Sequence, residues 1–464
     1  MVISGLATTP VSGGDWLHGR ERQVTSGPTN HVLTNANVWS HDSRWIYFDV
    51  RSDAAGAAFD GQRIERVEVS SGHTQTMFHA SRGAYVGVVT AAPHTDMIVF
   101  IHGPEDPSED WKYSAWHRRG VLVDAELPLT AVSLDARDLT PPYTPGALRG
   151  GSHVHTFSPD GSWIAFTYED HVLAEADRDQ PHELNQREVG VSVPADFLPS
   201  ESVVVNSTHP RNHDGTYFSV LVSRTHDEPR AGSDEICRAC EDAWIGRDGY
   251  LRSDGRRQRR AIAFQGEVIA ADGRHFNEVY VVDMPNDLTR PGDQPLEGTP
   301  TTRPYPPRGV VQRRLTNTGG RKFAGIQGPR HWLRSSPDGD RIACLMKDDA
   351  GVVQIWTVSP RSGELQQLSH NIHDIASAFT WSPDGQWITH VMDTSVCVTS
   401  TSTGETYRLT PVCPEAVAPR PEACVFSPAG DQIAYVRRVA NTDASGKSQA
   451  YNQVFILTLS TDIE

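Results

Sequence analysis

The sequence predicts an all-β fold, a seven-bladed β-propeller with a polar insertion in blade four, and two observations support this prediction. The first is a recurring Ser-Pro-Asp-Gly phrase, found in Phe157–Gly161, Ser336–Gly339 and Trp381–Gly385. The second is the apolar, β-rich run that follows each copy, such as Trp163–Phe166 and Trp387–Thr389. Proline and Asp-Gly favour tight turns, so the phrase predicts a strand, a turn and a second strand. Strand repeats of this kind are typical of propellers.

Seven turns can be counted along the chain. Weaker copies occur at Trp39–Ser43 and Phe426–Gly430, and degenerate copies at Pro93–Asp96 and Asn212–Gly215. One residue marks each turn, and the seven markers are Asp42, His94, Asp160, Asp214, Asp338, Asp384 and Ala429. Most intervals are close to one propeller repeat of roughly 40–50 residues. The count therefore predicts seven blades.

The interval between Asp214 and Asp338 is much longer than the others and leaves room for an eighth blade. Its first part is polar and charged and contains the basic run Arg256–Arg260, which favours an insertion at 226–277. We therefore predict a single propeller over residues 31–464. Residues 1–30 are predicted to be an N-terminal segment that is partly flexible.

Composition narrows the classes of function. The chain has 464 residues and a net charge of -16, with 42 basic against 58 acidic residues, which argues against nucleic-acid binding as its main role. No apolar stretch reaches the ~18 residues that a membrane span needs. Met1–Trp16 lacks a basic start and an apolar core, so we expect no signal peptide and a cytoplasmic location. The oligomeric state is not predicted.

The cysteines do not suggest a disulfide framework. Six are scattered along the chain, and Cys237 and Cys240 form one C-x-x-C without the second pair that a zinc finger requires. We interpret these two as thiols in the polar insertion.

Histidines gather when the blades are aligned on their turns. His155 and His209 lie five residues before a turn marker, and His153 and His331 lie seven before one. Because strand side chains alternate with period two, positions five and seven share a face. The strand before the turn is expected to be innermost, so these imidazoles should meet near one mouth of the channel. Such a cluster could bind manganese, or else iron or zinc.

Further polar residues accompany this cluster. Arg149 and Arg330 are suited to gripping a carboxylate, and Gln327 lies three residues before Arg330. His171 and His213 are candidate proton-accepting bases. Other histidines are interpreted as surface or packing residues, namely His73, His79, His117 and His275. A polar channel that only holds water is the alternative explanation for the whole set.

The repeats resemble those of TolB-type propellers, which share the Trp-Ser-Pro-Asp-Gly turn. Longer stretches resemble an uncharacterised bacterial family, the YidR-like proteins, notably Thr34–Trp39, Val99–Glu105, Leu148–Pro159, Gly232–Ile236 and Pro329–Trp332. A more distant resemblance is to the oligogalacturonate lyases, whose His-x-His before a turn is matched by His153 and His155. That resemblance implies a divalent metal on channel histidines and a glutamine. The expected glutamine is replaced by Gly150, so Gln327 would have to supply it from another blade.

Two functions follow from these observations. The first is a metal-dependent lyase that cleaves a uronide by β-elimination at the channel mouth. In it, His153, His155, His209, His331 and Gln327 supply metal ligands. Arg149 and Arg330 stabilise negative charge, and His171 or His213 takes the proton. The alternative is a non-catalytic propeller that binds a peptide, protein or sugar at the same mouth. A small acidic sugar or peptide is the predicted ligand in either case.

Overall fold

The computed structural model describes residues 19–53, 56, 58–176, 184–442 and 445–459. These residues contain seven four-stranded antiparallel sheets, which confirms the predicted seven-bladed propeller. Within the described ranges, no helix is long and apolar enough to cross a membrane. Of the predicted N-terminal segment, residues 1–18 lie outside the described residues, and residues 19–23 form a strand.

The first blades follow the predicted turns. Strand β1 (Gly19–Gln23) joins the last blade, so the two ends of the described chain close the ring in one sheet. Blade one consists of β2 (Asn30–Val32), β3 (Trp45–Arg51), β4 (Arg63–Glu68) and β5 (Thr74–His79). Blade two consists of β6 (Val86–Ala91), β7 (Met97–His102), β8 (Arg119–Asp124) and β9 (Ala131–Ser133).

A long connection leads to blade three. It contains the short parallel pair β10 (Ala136–Arg137) and β11 (Ala147–Leu148). Blade three consists of β12 (Gly150–Phe157), β13 (Ile164–Asp170), β14 (Glu188–Pro194) and β15 (Tyr217–Leu221). A six-residue helix, α1 (His171–Ala176), follows β13.

Blade four begins inside the segment predicted to be an insertion. It consists of β16 (Ile236–Trp244), β19 (Ala261–Ile269), β20 (His275–Asp283) and β21 (Val311–Arg314). The small hairpin β17 (Tyr250–Leu251) and β18 (Arg257–Gln258) projects between its first two strands.

The remaining blades are shorter in sequence. Blade five consists of β22 (Arg334–Ser335), β23 (Ile342–Lys347), β24 (Val353–Val358) and β25 (Leu365–Gln367). Blade six consists of β26 (Thr380–Trp381), β27 (Trp387–Met392), β28 (Ser395–Ser400) and β29 (Thr406–Arg408). After a 3₁₀ turn at Glu415–Val417, blade seven combines β1 with β30 (Pro419–Phe426), β31 (Gln432–Thr442) and β32 (Ser448–Leu459).

The structure corrects the position of blade four. The degenerate phrase at Asn212–Gly215 precedes β15, the outermost strand of blade three, and is not a turn between inner strands. The predicted insertion at 226–277 supplies the two inner strands of blade four, and only the β17–β18 hairpin is an addition. The prediction was wrong because polar, charged composition hid the β-pattern of Ile236–Trp244, whose side chains line a polar pocket.

The apolar core is divided among the contacts between neighbouring blades. For example, Ile262 and Phe264 of blade four pack in one cluster with Val189 and Val220 of blade three. Comparable clusters join every other pair of adjacent blades. A ring built in this way keeps the centre free for a channel, because each blade buries its faces against its neighbours.

A repeated hydrogen-bond pattern holds the Ser-Pro-Asp-Gly turns. In blade six, the Ser382 hydroxyl donates to Asp384 Oδ1 at 2.5 Å, and the Trp387 backbone N–H donates to Ser382 Oγ at 3.0 Å. The same two bonds recur in blades one, three and five, at Ser40, Ser158 and Ser336. Gly385 follows with φ 73°, a conformation that glycine adopts without strain.

Candidate functional site

Two pockets of different chemistry lie at the two ends of the inner strand β16. At the end where the inner strands turn outward, a cavity of about 390 Å³ is lined by residues from all seven blades, among them Trp39, Trp244 and Trp381. We call it the turn mouth. Asp242 and Arg334 are charged groups in its wall.

A second pocket, of about 590 Å³, lies between blades three, four and five, where connections lead into inner strands. Its wall contains Arg187, Arg238 and Arg330, and we call it the arginine mouth after these three residues. The carboxylate of Glu241, from the inner strand β16, also lines it. Such a concentration of guanidinium groups on a chain of net charge -16 is suited to binding an anion.

Two of the three arginines, Arg187 and Arg330, are held in place by ion pairs. Arg330 Nε donates to Glu241 Oε1 at 2.8 Å, and Arg187 Nε donates to Glu169 Oε1 at 2.7 Å. Burial would raise the pKa of Glu241, but the Arg330 guanidinium outweighs it and the pKa is lowered. The Arg330 side chain is 58% exposed, and its terminal nitrogens form no hydrogen bond to any residue that the structure describes. Its free edge can therefore bind a ligand carboxylate in two-point fashion.

His153 lies within electrostatic reach of this pocket. Burial and the charges of Arg118, Arg187 and Arg330 hold the pKa of His153 well below its usual range. Its Nδ1 lies 3.3 Å from the Thr167 hydroxyl, while Nε2 has no hydrogen-bond partner within the described ranges. His153 is therefore neutral at physiological pH and leaves one nitrogen for a ligand.

His155 does not share the face of His153. The strand β12 contains a bulge between His153 and Thr156, and Val154 has φ 51°, so the expected period-two alternation is broken. His155 is fully buried, with Nε2 2.9 Å from the Ser152 hydroxyl and Nδ1 without a partner among the described residues. Burial lowers the pKa of His155 to about 3. It is a core residue beside the channel.

His331 is a packing residue, contrary to the prediction that it binds a metal. Its Nδ1 donates to the Pro329 carbonyl at 2.8 Å, and its Nε2 accepts the Leu345 backbone N–H at 3.1 Å. Both nitrogens are thus used by the backbone, and burial lowers the pKa of His331 to about 4. No lone pair is left for an ion.

His209 and His213 lie outside the inner layer, because the turn on which they were aligned is not an inner turn. Both lie in the connection between β14 and β15, where His213 forms an isolated bridge with Arg137. His209 Nδ1 accepts the backbone N–H of Arg211. His171 begins helix α1, and its Nδ1 lies 3.1 Å from His117 Nε2. None of the three lines the arginine mouth.

Arg149 is a structural residue, in contrast to its predicted role at the site. Its side chain is 1% exposed and donates from Nε to Asp170 Oδ2 at 2.7 Å. Its terminal nitrogens donate to the carbonyls of Thr299 and Thr302. A guanidinium committed in this way joins blade three to the long connection of blade four and cannot grip a ligand.

The predicted histidine shell therefore does not fit a metal. His331 has no free nitrogen, His209 lies in an outer connection, and His153 and His155 are separated by a bulge. Gln327 does line the arginine mouth, where its Nε2 donates to the Ala324 carbonyl and its buried Oε1 has no partner in the described part of the chain.

A different group of metal-ligand types lies at the edge of the arginine mouth. One donor atom each of Cys237, Glu267 and His275 lies within 4.8 Å of the other two. The sequence interpretation of Cys237 as an insertion thiol and of His275 as a surface residue overlooked this group. Cys237, Arg238 and Glu241 all lie in β16, so only the prediction of β16 as an inner strand could have identified them as site residues.

Comparisons with known proteins agree with this fold. A profile of the family described as "Protein of unknown function (DUF3748)" matches residues 85–213. The chain is 46% identical over 419 residues to the "Uncharacterized protein YidR" of Escherichia coli (strain K12), covering 89% of this chain and 94% of that protein.

Solved structures of similar shape include two oligogalacturonate lyases. One, in complex with manganese, has a TM-score of 0.56 at 11% identity and covers 98% of this chain and 95% of that chain. The other, from Vibrio parahaemolyticus, has a TM-score of 0.53 at 9% identity and covers 97% and 99%. Identities this low show a shared fold, and a shared fold does not determine a reaction.

Proposed function

This chain belongs to the YidR family, and from its arginine mouth we propose that it binds an acidic oligosaccharide of the uronide class. The observation that carries the proposal is the lining of one 590 Å³ pocket by Arg187, Arg238 and Arg330. Each uronide unit presents a planar carboxylate, which matches the fork of a guanidinium group. The oligogalacturonate lyases of similar fold support the choice of a uronide over other anions.

The polar remainder of the pocket suits a sugar. Gln265, Asn277 and Gln327 add amide groups to the wall, and Glu241 and Glu267 add acceptors for hydroxyl groups. Sugars are bound through such arrays of donors and acceptors, and the volume lies within the range usual for small-ligand sites. The same features would also accept an acidic peptide, which is the alternative ligand.

Lyase activity is the second, more specific proposal. In β-elimination a base removes the proton next to the uronide carboxylate, a carbon–carbon double bond forms and the adjacent glycosidic C–O bond breaks. We assign this role to His153, which does not line the pocket but lies within electrostatic reach of its arginines; its Nε2 is unbonded within the described ranges, and those arginines would stabilise the developing negative charge. The low pKa of His153 makes it a weak base. The arginine lining therefore supports uronide binding better than the histidine supports catalysis.

The proposed reaction includes no step at a divalent metal ion. Manganese was predicted for His153, His155, His209, His331 and Gln327, and that set does not form a shell. The assay below is therefore run both without metal and with added manganese.

The test is calorimetric titration with trigalacturonate, with a neutral galactose trisaccharide as the matched ligand control. We expect binding of the acidic sugar only, weakening as salt rises because ion pairs are screened. Arg330→Gln should weaken binding by at least ~10-fold, the loss of about 1.4 kcal/mol from one charge-assisted contact. Arg308→Gln, at an exposed arginine outside the mouth, is the matched protein control.

Equal affinity for the acidic and neutral sugars, or no effect of Arg330→Gln, would contradict the binding proposal. Lyase activity is read separately as the ultraviolet absorbance of the unsaturated product. If the protein binds trigalacturonate but forms no unsaturated product, with or without manganese, the lyase proposal is rejected and the binding proposal stands.

A further inference from the structure

We propose that Cys237, Glu267 and His275 bind one thiophilic divalent cation, with zinc preferred, at the edge of the arginine mouth. The inference goes beyond saccharide binding, because it concerns a different ligand and two side chains, Cys237 and His275, that do not line the saccharide pocket; Glu267 lies at the boundary of the two sites. It would stand even if no sugar bound the protein.

The fold of blade four brings these residues together. They come from three neighbouring strands, β16, β19 and β20, which pair in that order. Glu267 pairs with Asn277, and His275 lies two residues before Asn277, so Glu267 and His275 project from the same face of the sheet. Cys237 lies at a register shift of β16, between the pairs Ile236–Val268 and Arg238–Glu267.

The distances are short enough for a common ligand. One donor atom of each residue lies within 4.8 Å of the other two, and His275 Nδ1 lies 3.0 Å from Glu267 Oε1. Zinc ligands lie about 2.0–2.3 Å from the ion, so small rotations of the partly exposed side chains can converge on one centre.

The donor types favour zinc over the manganese predicted for the channel. A thiolate, an imidazole and a carboxylate form a mixed soft and borderline set, whereas manganese prefers oxygen ligands. Three protein ligands also leave one tetrahedral position open, as in zinc sites that bind water or a further ligand. Thiolate and carboxylate together offset the double charge of the ion.

A separate observation points to a ligand at this place. Gln327 lines both hollows that contain Glu267, one of about 590 Å³ and one of about 600 Å³, and the second also contains His275. Its Oε1 is buried and has no hydrogen-bond partner in the part of the chain that the structure describes. Buried carbonyl oxygens normally have partners, so this oxygen indicates an unfilled hydrogen-bonding position in the wall that the two hollows share.

Arg274 and Lys322, two cations that line the same hollow as His275, already have partners, and Lys322 Nζ donates to the Asp349 carbonyl at 3.1 Å. Arg274 donates from Nε to Asp272 Oδ2 at 2.8 Å. The guanidinium of Arg238 interacts with Cys240 and Glu241. Metal binding would deprotonate the Cys237 thiol, and the resulting thiolate and the Glu267 carboxylate would supply the negative charge that a divalent cation requires.

The experiment is a cobalt titration of the full chain, purified without a histidine tag and treated with a chelator, followed by competition with zinc. Cobalt bound to a thiolate gives a charge-transfer absorption that carboxylate and imidazole sites lack. We expect one cobalt per chain with this absorption and its loss when zinc is added. Cys237→Ser should abolish the absorption, and His275→Ala should weaken the affinity by at least ~100-fold.

Matched controls separate the site from general effects on the protein. Cys413→Ser removes another half-buried thiol, and His73→Ala removes an exposed histidine elsewhere; both should bind cobalt as the parent does. Circular dichroism checks that each variant is folded. An absence of the charge-transfer absorption in the parent, or its persistence in Cys237→Ser, would overturn the proposal. Because no saccharide is present, neither result depends on uronide binding.

Discussion

The two mouths of the channel differ in how they are built. The turn mouth repeats one local design, in which a serine hydroxyl and an aspartate carboxylate close the turns of blades one, three, five and six. The arginine mouth has no repeat, since Arg187 precedes β14, Arg238 lies in β16, and Arg330 lies in a connection between blades. The repeat stabilises the ring, and the irregular parts supply the charged side chains of the arginine mouth. We therefore expect function in this fold where the repeat is interrupted.

The lengths of the connections between strands also differ between the turn mouth and the arginine mouth. Residues 103–118 connect β7 to β8 and residues 315–333 connect β21 to β22, and the second connection supplies Gln327 and Arg330 to the arginine mouth. The Ser-Pro-Asp-Gly turns at the other side are short, and the β17–β18 hairpin of blade four is the long connection described there. The following predictions test this division, in order of expected effect.

Arg149→Ala should cause the largest loss of stability. It removes one partner of the buried pair with Asp170 and leaves that carboxylate uncompensated, at a cost of about 3–5 kcal/mol in the free energy of unfolding. Arg290→Ala, at an exposed pair with Asp287, should leave the free energy of unfolding nearly unchanged, because solvent screens that pair. Urea unfolding measures both. If Arg149→Ala were stable but defective in sugar binding, Arg149 would belong to the site and not to the scaffold.

Asp242→Asn should stabilise the protein at high pH. Burial raises the pKa of Asp242 to about 7, and neither carboxylate oxygen has a partner among the described residues. A raised carboxylate pKa means that the native state binds the proton more tightly than the unfolded chain. The parent therefore loses stability as the pH rises from about 4 to about 7, by up to about 4 kcal/mol.

The Asp242→Asn variant has no carboxyl group to titrate at this position, so its stability should not fall between pH 4 and pH 7 for this reason. The stability difference between variant and parent, measured by urea unfolding, should grow from pH 4 to pH 8. A stability difference that does not change with pH would show that Asp242 is not the titrating group. It would also show that burial of the Asp242 carboxylate does not destabilise the fold.

His331→Ala should destabilise the fold without weakening sugar binding. It leaves the Leu345 N–H and the Pro329 carbonyl unbonded and opens a small cavity, a loss of about 3 kcal/mol. His153→Gln should do the reverse, with a small effect on the melting temperature and a clear effect on uronide binding or turnover. Calorimetric titration and thermal unfolding on both variants distinguish the roles. If a folded His331→Ala variant lost uronide binding, His331 would be a residue of the binding site and not a packing residue.

Ser382→Ala should have the smallest effect, about 1 kcal/mol, through loss of its bonds to Asp384 and Trp387. Because the same bonds occur in blade three, Ser158→Ala should cost nearly the same. Thermal or urea unfolding of the two variants provides the comparison. A clearly unequal cost would show that the turns of the ring are not equivalent.

Much of the ring could be predicted from the sequence. The turns at Asp42, Asp160, Asp338 and Asp384 were located correctly, because their chemistry is local and each depends on a few adjacent residues. Blade four was misplaced because its turn, near Asp248, lacks the phrase and leads into an additional hairpin. The count of seven was still correct, since one false turn replaced one missed turn.

The site could be predicted only in part. Arg330 and Gln327 lie in the arginine mouth, and His153 lies within electrostatic reach of it. The face shared by His153 and His155 was wrong, because a bulge at Val154 is not visible in the hydrophobic pattern. His209 and His213 were misplaced together with the turn on which they were aligned.

The sequence by itself determined the fold and the number of blades, because turn chemistry and strand periodicity act over neighbouring residues. Only the tertiary structure decided which polar side chains meet. The pairing of Arg330 with Glu241, the burial of Arg149 against Asp170 and the convergence of Cys237, Glu267 and His275 depend on blade position and strand register. Contacts between residues far apart in the chain follow from closure of the whole ring, and no local pattern encodes them.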